Sequence, residues 1–331
     1  MTVLEQHLAT ALWYNDIATL TLEHPEFDPA CTIPIEQFKA LLARTAFKEK
    51  LLCQLEKEGS RCNQPHGNGW LALRKDGRKG VIGGDCADKN FNASETFLIE
   101  RNRMNQEIAI QEILSALSVM LKDRNALAAR IKKARDQLSK NRDAVKRLSD
   151  SLPMEVITGL RDYNKASGDR ARISVDVQYV EIEEIEGKKK ERVSWRSREI
   201  GTLTGLSIWD GSAIPPIVAA LSEADTARME ADLRPDQKLA LLKKWRGALD
   251  QLQHTEAALE RLDRSLADFC QSANLALLCH TVRNHDRQRE IVRTLLTRAG
   301  ENSTPLRVQS VLNDLKEAVR KENGGREFGV P

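Results

Sequence analysis

Apolar residues recur along this chain in two rhythms, which separate long rods from short compact stretches. From Glu95 to Asp150 there is neither Pro nor Gly. A seven-residue repeat places Ile110, Leu117, Arg124, Ile131, Leu138 and Val145 at a, and Ile113, Met120, Leu127, Ala134, Asn141 and Leu148 at d; ten of these twelve are apolar. A sustained period of 3.5 predicts a coiled-coil seam, with Arg124 and Asn141 as the polar interruptions that set register. A second seam follows Pro235, a residue suited to the first turn of a helix. Its a positions are Trp245, Leu252, Leu259, Leu266 and Ala273, and its d positions Leu241, Ala248, Thr255, Leu262, Phe269 and Ala276.

The stretches between and before the rods read differently. Leu4, Leu8, Ala11, Leu12 and Ile17 predict a first helix, and Phe38, Leu41, Leu42, Phe47, Leu51 and Leu52 a second over Ile35 to about Glu56. Gly69 to Gly83 reads as two short strands about a Lys75-Asp76-Gly77 turn. Ile173 to Ile182 and Arg192 to Arg196 alternate apolar and polar residues around a Gly187-Lys188-Lys189-Lys190 turn, predicting a β-hairpin. Thr202 to Trp209 offers a third strand there, and Pro215 and Pro216 open a short helix.

The expected fold is therefore mainly α with small β units. An antiparallel coiled-coil arm carries a β-rich insertion, behind a zinc-stapled N-terminal module of helix and β-hairpin. The boundaries fall at 1–94 (metal module 53–94), 95–150, 151–222, 234–299 and 300–331.

Composition fits rods better than one large core. The 331 residues are 30% charged and 5% aromatic, with a net charge of +3. By segment the charge is uneven: −1 over residues 1–94, +4 over 95–150 and zero over the remainder. The first residues lack the basic region of a leader, and no apolar run is long enough to span a bilayer. Six unevenly spaced cysteines suit a reducing, cytoplasmic setting, where clustered thiols serve metals more often than disulfides.

Cys53, Cys62, His66 and Cys86 are spaced C-x8-C-x3-H-x19-C, an order that can supply four ligands to a tetrahedral Zn2+. Cys62 and His66 bracket a turn, a hairpin follows, and Cys86 stands where the next helix should start. That succession resembles the treble-clef class of zinc modules over residues 53–100. It departs from the class in an x8 first pair and a single helix cysteine, which leaves Asp85 or Asp88 as alternatives to Cys53. A closed set of four ligands implies a structural ion. The competing reading is a set of buried thiols with His66 a solvated loop residue.

No phosphate-binding, zinc-protease or serine-nucleophile motif occurs. Cys279 and His280 are adjacent and diverge on a helix, so they read as a core thiol and an exposed imidazole. Glu181, Glu183, Glu184 and Glu186 read as solvated partners of the facing lysines. No catalytic residue is assigned, and a non-enzymatic protein is expected. Between Lys122 and Arg147 ten Lys and Arg face three Asp. Lys132, Lys133, Arg142 and Lys146 on that rod, with Lys188, Lys189, Lys190 and Arg196 on the hairpin, are the candidate contacts to nucleic acid. The expected function is a zinc-binding coiled-coil component of a larger complex, associated with nucleic acid. The alternative is an architectural scaffold or regulator that binds protein partners or itself, away from any membrane.

Overall fold

In a computed structural model the chain is described over residues 12–91, 95–185 and 188–330. It is mainly helical, with small β units, and divides into two compact units. One comprises Met1–Leu127 with Thr226–Leu249, the other Ala128–Asp225 with Asp250–Pro331. Among the described residues no helix is long and apolar enough to cross a membrane. Leu4, Leu8 and Ala11 of the expected first helix lie outside the described residues, as do Glu186 and Gly187 of the hairpin turn.

The first unit is built on a four-stranded sheet in the order β1-β2-β5-β6, from Trp13–Tyr14, Phe38–Leu52, Pro65–Arg74 and Lys79–Gly83. β1 runs parallel to β2; the other pairs are antiparallel. The helix α1 (Ile17–Glu23) starts at Asp16, whose carboxylate accepts from the Thr19 N–H. The helix expected over Ile35–Glu56 is instead the strand β2. Its buried positions Leu41, Ala43, Thr45 and Phe47 recur every second residue, the period of a strand. The Lys-, Glu- and Ala-rich composition suggests helix, but pairing on both sides overrides that weak preference.

Strand alternation fills both faces of this sheet. Trp70, Ala72 and Ile82 join one core with Phe97, Met104 and Ile108 of α3 (Glu95–Met120), while Leu71 and Val81 join another with Tyr14, Leu20 and Phe27. The buried Gln54 ties the sheet to the preceding loop. Its Oε1 accepts from the Val81 N–H at 2.6 Å, and its Nε2 donates to the Asp28 and Cys31 carbonyls.

The rod expected from Glu95 to Asp150 breaks at residues 121–123. There α3 ends and α4 (Arg124–Ser151) begins. Asp123 causes the new start: its Oδ1 accepts from the Ala126 N–H at 2.8 Å. Arg124 turns its guanidinium onto the Arg228 carbonyl, and onto that of Ala231 at 2.6 Å, at the C-terminal end of α6 (Ile214–Glu230). A cation there satisfies carbonyls that the helix leaves open.

In the second unit α5 (Met154–Ser167) leads into a long antiparallel hairpin of β7 (Arg170–Ile185) and β8 (Lys188–Thr204), as the alternation predicts. The third strand expected over Thr202–Trp209 is not formed. β8 ends at Thr204, and Leu206–Trp209 is a single 3-10 turn. The last strand, β9 (Phe328–Gly329), adds to β7 at Asp176 and Val177.

The seam positions Ile131, Ala134, Leu138, Asn141 and Leu148 of α4 are buried, and so are Leu252, Thr255, Leu259, Leu262 and Phe269 of α7 (Leu239–Phe269). The expected antiparallel pairing is overturned. Arg130 bonds Glu256 and Gln137 bonds Asp263, so both helices advance in the same direction. The helix expected from Pro215 and Pro216 is α6, which lies in the chain between the β-hairpin and α7; its Asp225 pairs with Arg135. The second rod is also shorter than expected. Pro235 precedes the helix by four residues, and after Phe269 the chain continues as α8 (Ser272–Leu278), α9 (His285–Arg298) and α10 (Pro305–Glu322). Asn284 and Thr304 cap the last two. The largest core of this unit joins Leu148, Val156 and Leu160 to Trp209, Phe269, Leu275, Ile291 and Leu312.

Candidate metal centre

β2 ends at Leu52 and delivers Cys53 to the buried edge of the first core. The chain then makes a miniature hairpin, β3 (Glu56–Lys57) with β4 (Ser60–Arg61). Its turn has positive φ at both Glu58 and Gly59, the backbone of a tight two-residue connection. This hairpin returns Cys62 to Cys53. The Cys62 N–H donates to the Leu55 carbonyl, and the Cys53 N–H to that of Gln64, both at 2.9 Å. The sheet hairpin β5–β6 then carries the chain to α2 (Gly84–Phe91), whose first turn presents Cys86.

The three Sγ atoms of Cys53, Cys62 and Cys86 all lie within 4.8 Å of one another, the single such group of metal-ligand atoms among the described residues. Cys62 Sγ and Cys86 Sγ are 3.7 Å apart. That is too long for a disulfide, and all six cysteines are free. Two thiolates bound to one tetrahedral zinc at about 2.3 Å stand roughly 3.8 Å apart, so the observed spacing matches a shared ion. Cys53 is fully buried and accepts from the Gly83 N–H at 3.4 Å, while Cys86 Sγ lies 3.3 Å from the Gln64 side-chain oxygen.

Burial pushes the Cys53 thiol above its ordinary range. Burial, aided by the neighbouring thiols, lifts Cys86 to about 12. For Cys62 burial also acts upward, but the Gln64 backbone N–H and the adjacent thiols outweigh it and hold the group low. Three thiols this close resist joint ionisation, and a divalent cation removes that resistance. The residues present therefore fit a thiolate-bound metal.

His66 stands on β5 opposite Leu51, outside the group of three sulfurs. Its ring packs against Gly83, where an added Cβ would come within 3.0 Å of it. Both ring nitrogens are buried without a hydrogen-bond partner, and burial lowers the imidazole pKa, keeping it neutral. Asp85 is exposed, and Asp88 pairs with Arg101 at 2.6 Å.

The candidate nucleic-acid contacts differ in their charge balance. On α4, Lys132 pairs with Asp136 and Lys146 with Asp150. Lys133 and Arg142 are exposed, and no ion pair is seen for either among the described residues. On the hairpin, Lys189 faces Glu184 and Lys190 faces Glu183 across the strands. Arg196 bonds Glu181 and stacks on the Tyr179 ring at 4.8 Å. The Lys188 side chain lies outside what is described. Cys279 and His280 are both buried, so the exposed imidazole expected there is a core group instead. Gln54 and Asp263 carry no sequence signal, since each acts through a partner distant in the chain.

No family model matches this chain, and neither a curated protein nor a solved structure does.

Proposed function

We propose that this chain is a non-enzymatic zinc-binding component of a larger assembly that contacts nucleic acid through the exposed cations of α4. The convergence of Cys53, Cys62 and Cys86 from three separate elements carries the metal part of this reading. The ion is structural: it pins the β3–β4 hairpin and the start of α2 to the end of β2. His66, neutral and unpartnered beside Gly83, is the residue best suited to complete the set after a change of side-chain rotamer. Elemental analysis of the purified chain tests this. About one zinc per chain is expected for a site of this type, lost in Cys62→Ser and in Cys86→Ser. Protein without zinc, or variants that keep it, would refute the reading.

The nucleic-acid part rests on Lys133, Lys140, Arg142 and Arg147, exposed on α4 with no ion pair seen among the described residues. Each phosphate neutralised on duplex DNA adds about 0.9 to the slope of log affinity against log salt. Replacing the four with Gln should lower that slope by about 3.6 if each neutralises one phosphate. An unchanged slope, or no binding at low salt, counts against it. One observation favours a protein-binding scaffold instead: Val180, Ile182, Val193 and Trp195 are exposed on the β-hairpin. Retention of a protein partner by the wild type, lost on Val180→Ser with Trp195→Ser, would support that alternative.

A further inference from the structure

A half-open cavity of about 480 Å³ in the second unit is bordered by the residues at and just before the start of α9, one face of α10 and the C-terminal strand segment. Arg283, Lys316 and Arg320 line it beside His285, and among the described residues Glu327 is the one carboxylate in the lining. The walls are held in place. The Gln178 N–H bonds the Glu327 carbonyl, β9 pairs with β7, and Arg283 Nε donates to the Val330 carbonyl at 3.0 Å.

The cations here differ in how they are balanced. Arg320 spends its outer nitrogens on Glu317 and Glu327, but its Nε is buried with no hydrogen-bond partner. Lys316 is half-buried, and among the described residues no carboxylate lies within ion-pair distance of it. Its ammonium meets the His285 ring at 3.3 Å. Behind it sits the buried His280, packed against the Phe328 ring. Burial lowers the Lys316 pKa, and nearby Arg289 works in the same direction. A partly desolvated ammonium beside two guanidinium groups costs free energy unless an anion accompanies it.

We propose that this cavity is a binding site for a phosphoryl group, with Lys316 as its principal donor and the positive charge of Arg320 and Arg283 beside it. A dianion of three or four oxygens fits cations that converge from one helix and the loop before α9, where a single carboxylate would leave donors unused. The volume exceeds that of inorganic phosphate, so the phosphoryl group enters as part of a larger molecule. Either a free nucleotide or the phosphorylated end of a nucleic acid has that chemistry. The site is independent of the zinc reading and of the α4 surface, because it shares no residue with either.

The test is calorimetric titration of the full chain in phosphate-free buffer with 0.15 M NaCl. Inorganic phosphate, a nucleoside triphosphate, and one oligonucleotide in 5′-phosphorylated and 5′-hydroxyl forms serve as probes. Saturable binding of phosphate is expected, with Lys316→Met weakening it by about tenfold or more, as loss of one charge-assisted donor does. Lys316→Met removes an unpaired half-buried charge, so it should fold at least as well as the wild type. Lys316→Arg should keep binding. A preference for the 5′-phosphorylated over the 5′-hydroxyl oligonucleotide assigns the site to nucleic-acid ends; tight triphosphate binding without that preference assigns it to nucleotides. Absence of saturable binding by every probe, or binding indifferent to Lys316→Met, overturns the proposal. Lys133→Gln should leave phosphate binding unchanged, which separates this site from the α4 surface.

Discussion

Gly205 offers a demanding check on how the second unit is packed. It follows the end of β8, has φ +74°, and lies against the backbone of α7. A Cβ built there would sit 2.1 Å from the Ser265 carbonyl oxygen and 2.6 Å from the Phe269 nitrogen. Neither atom can swing aside as the end of a side chain can. Gly300, in the same unit, provides the control. It has φ +72° and closes α9, with the Glu301 N–H bonded to the Leu296 carbonyl, but nothing lies within 4 Å of its added Cβ. Gly300→Ala therefore incurs the left-handed backbone penalty alone, about 1–2 kcal/mol. Gly205→Ala incurs that penalty and the displacement of α7 besides, about 1–3 kcal/mol more, for a total near 2–5 kcal/mol. Urea titration followed by circular dichroism measures both losses, and thermal melting should separate the variants by several degrees, at about 2–4 °C per kcal/mol for units of this size. Equal losses in the two variants would refute the argument, because they would mean that β8 and α7 do not approach as closely as Gly205 requires.

Two further expectations concern buried polar groups. Burial, reinforced by Lys316, lowers the His280 pKa from 6.5 to about 4. Between these values the unfolded chain binds more protons, so the stability held above pH 6.5 is lost as pH falls towards 4, by about 3 kcal/mol at most. Denaturant midpoints at pH 7 and pH 5 should show this slope and His280→Phe should flatten it; an identical slope in the variant rejects the assignment. Asp263 accepts from Gln137 Nε2 at 2.8 and 2.7 Å and from the buried Asn141. A double-mutant cycle of Asn141→Ala with Asp263→Ala should give a coupling of about 1.5–3 kcal/mol. Additive losses would remove the network as a determinant of register.

Legibility in the sequence followed the range over which each signal acts. Short-range chemistry read correctly: the Lys75-Asp76-Gly77 turn and the alternation of β7 and β8. Many seam positions are buried, since a 3.5 period marks an apolar face whatever covers it, but Val145 and Leu266 are only half-buried and Ala273, beyond the end of α7, is exposed. Direction did not. Ile131, Leu138, Leu252 and Leu259 fit a parallel or an antiparallel neighbour equally, and the Arg130–Glu256 and Gln137–Asp263 bonds taken together distinguish them. β2 misled for a related reason: Phe38, Leu41 and Leu42 suit a helical spacing, whereas Thr45, buried on the strand, looks polar in sequence. The break after Met120 was written in Asp123, a capping residue without the Pro or Gly that usually announces a helix boundary. For the metal centre, cysteine spacing identified three groups that converge.

Charge shows most clearly what a count of residues leaves out. The ten basic residues between Lys122 and Arg147 suggest one uniform field along a rod. In the fold they have separate tasks. Arg124 closes the end of α6, Arg130 and Arg135 reach Glu256 and Asp225 on neighbouring helices, and Lys132 pairs along its own helix with Asp136. The lysines of the hairpin face a strand of glutamates, so that element is nearly neutral across its width. Among the described residues, the cations for which no ion pair is seen include a few exposed side chains on α4, and Lys316, which meets His285 instead of an acid. Because a desolvated cation without a counterion is costly while a solvated one is nearly free, the cavity has the greater need of a ligand. It should therefore retain its anion at salt concentrations that strip the α4 surface, and comparing the two salt dependences in one titration series distinguishes a built site from a diffuse field.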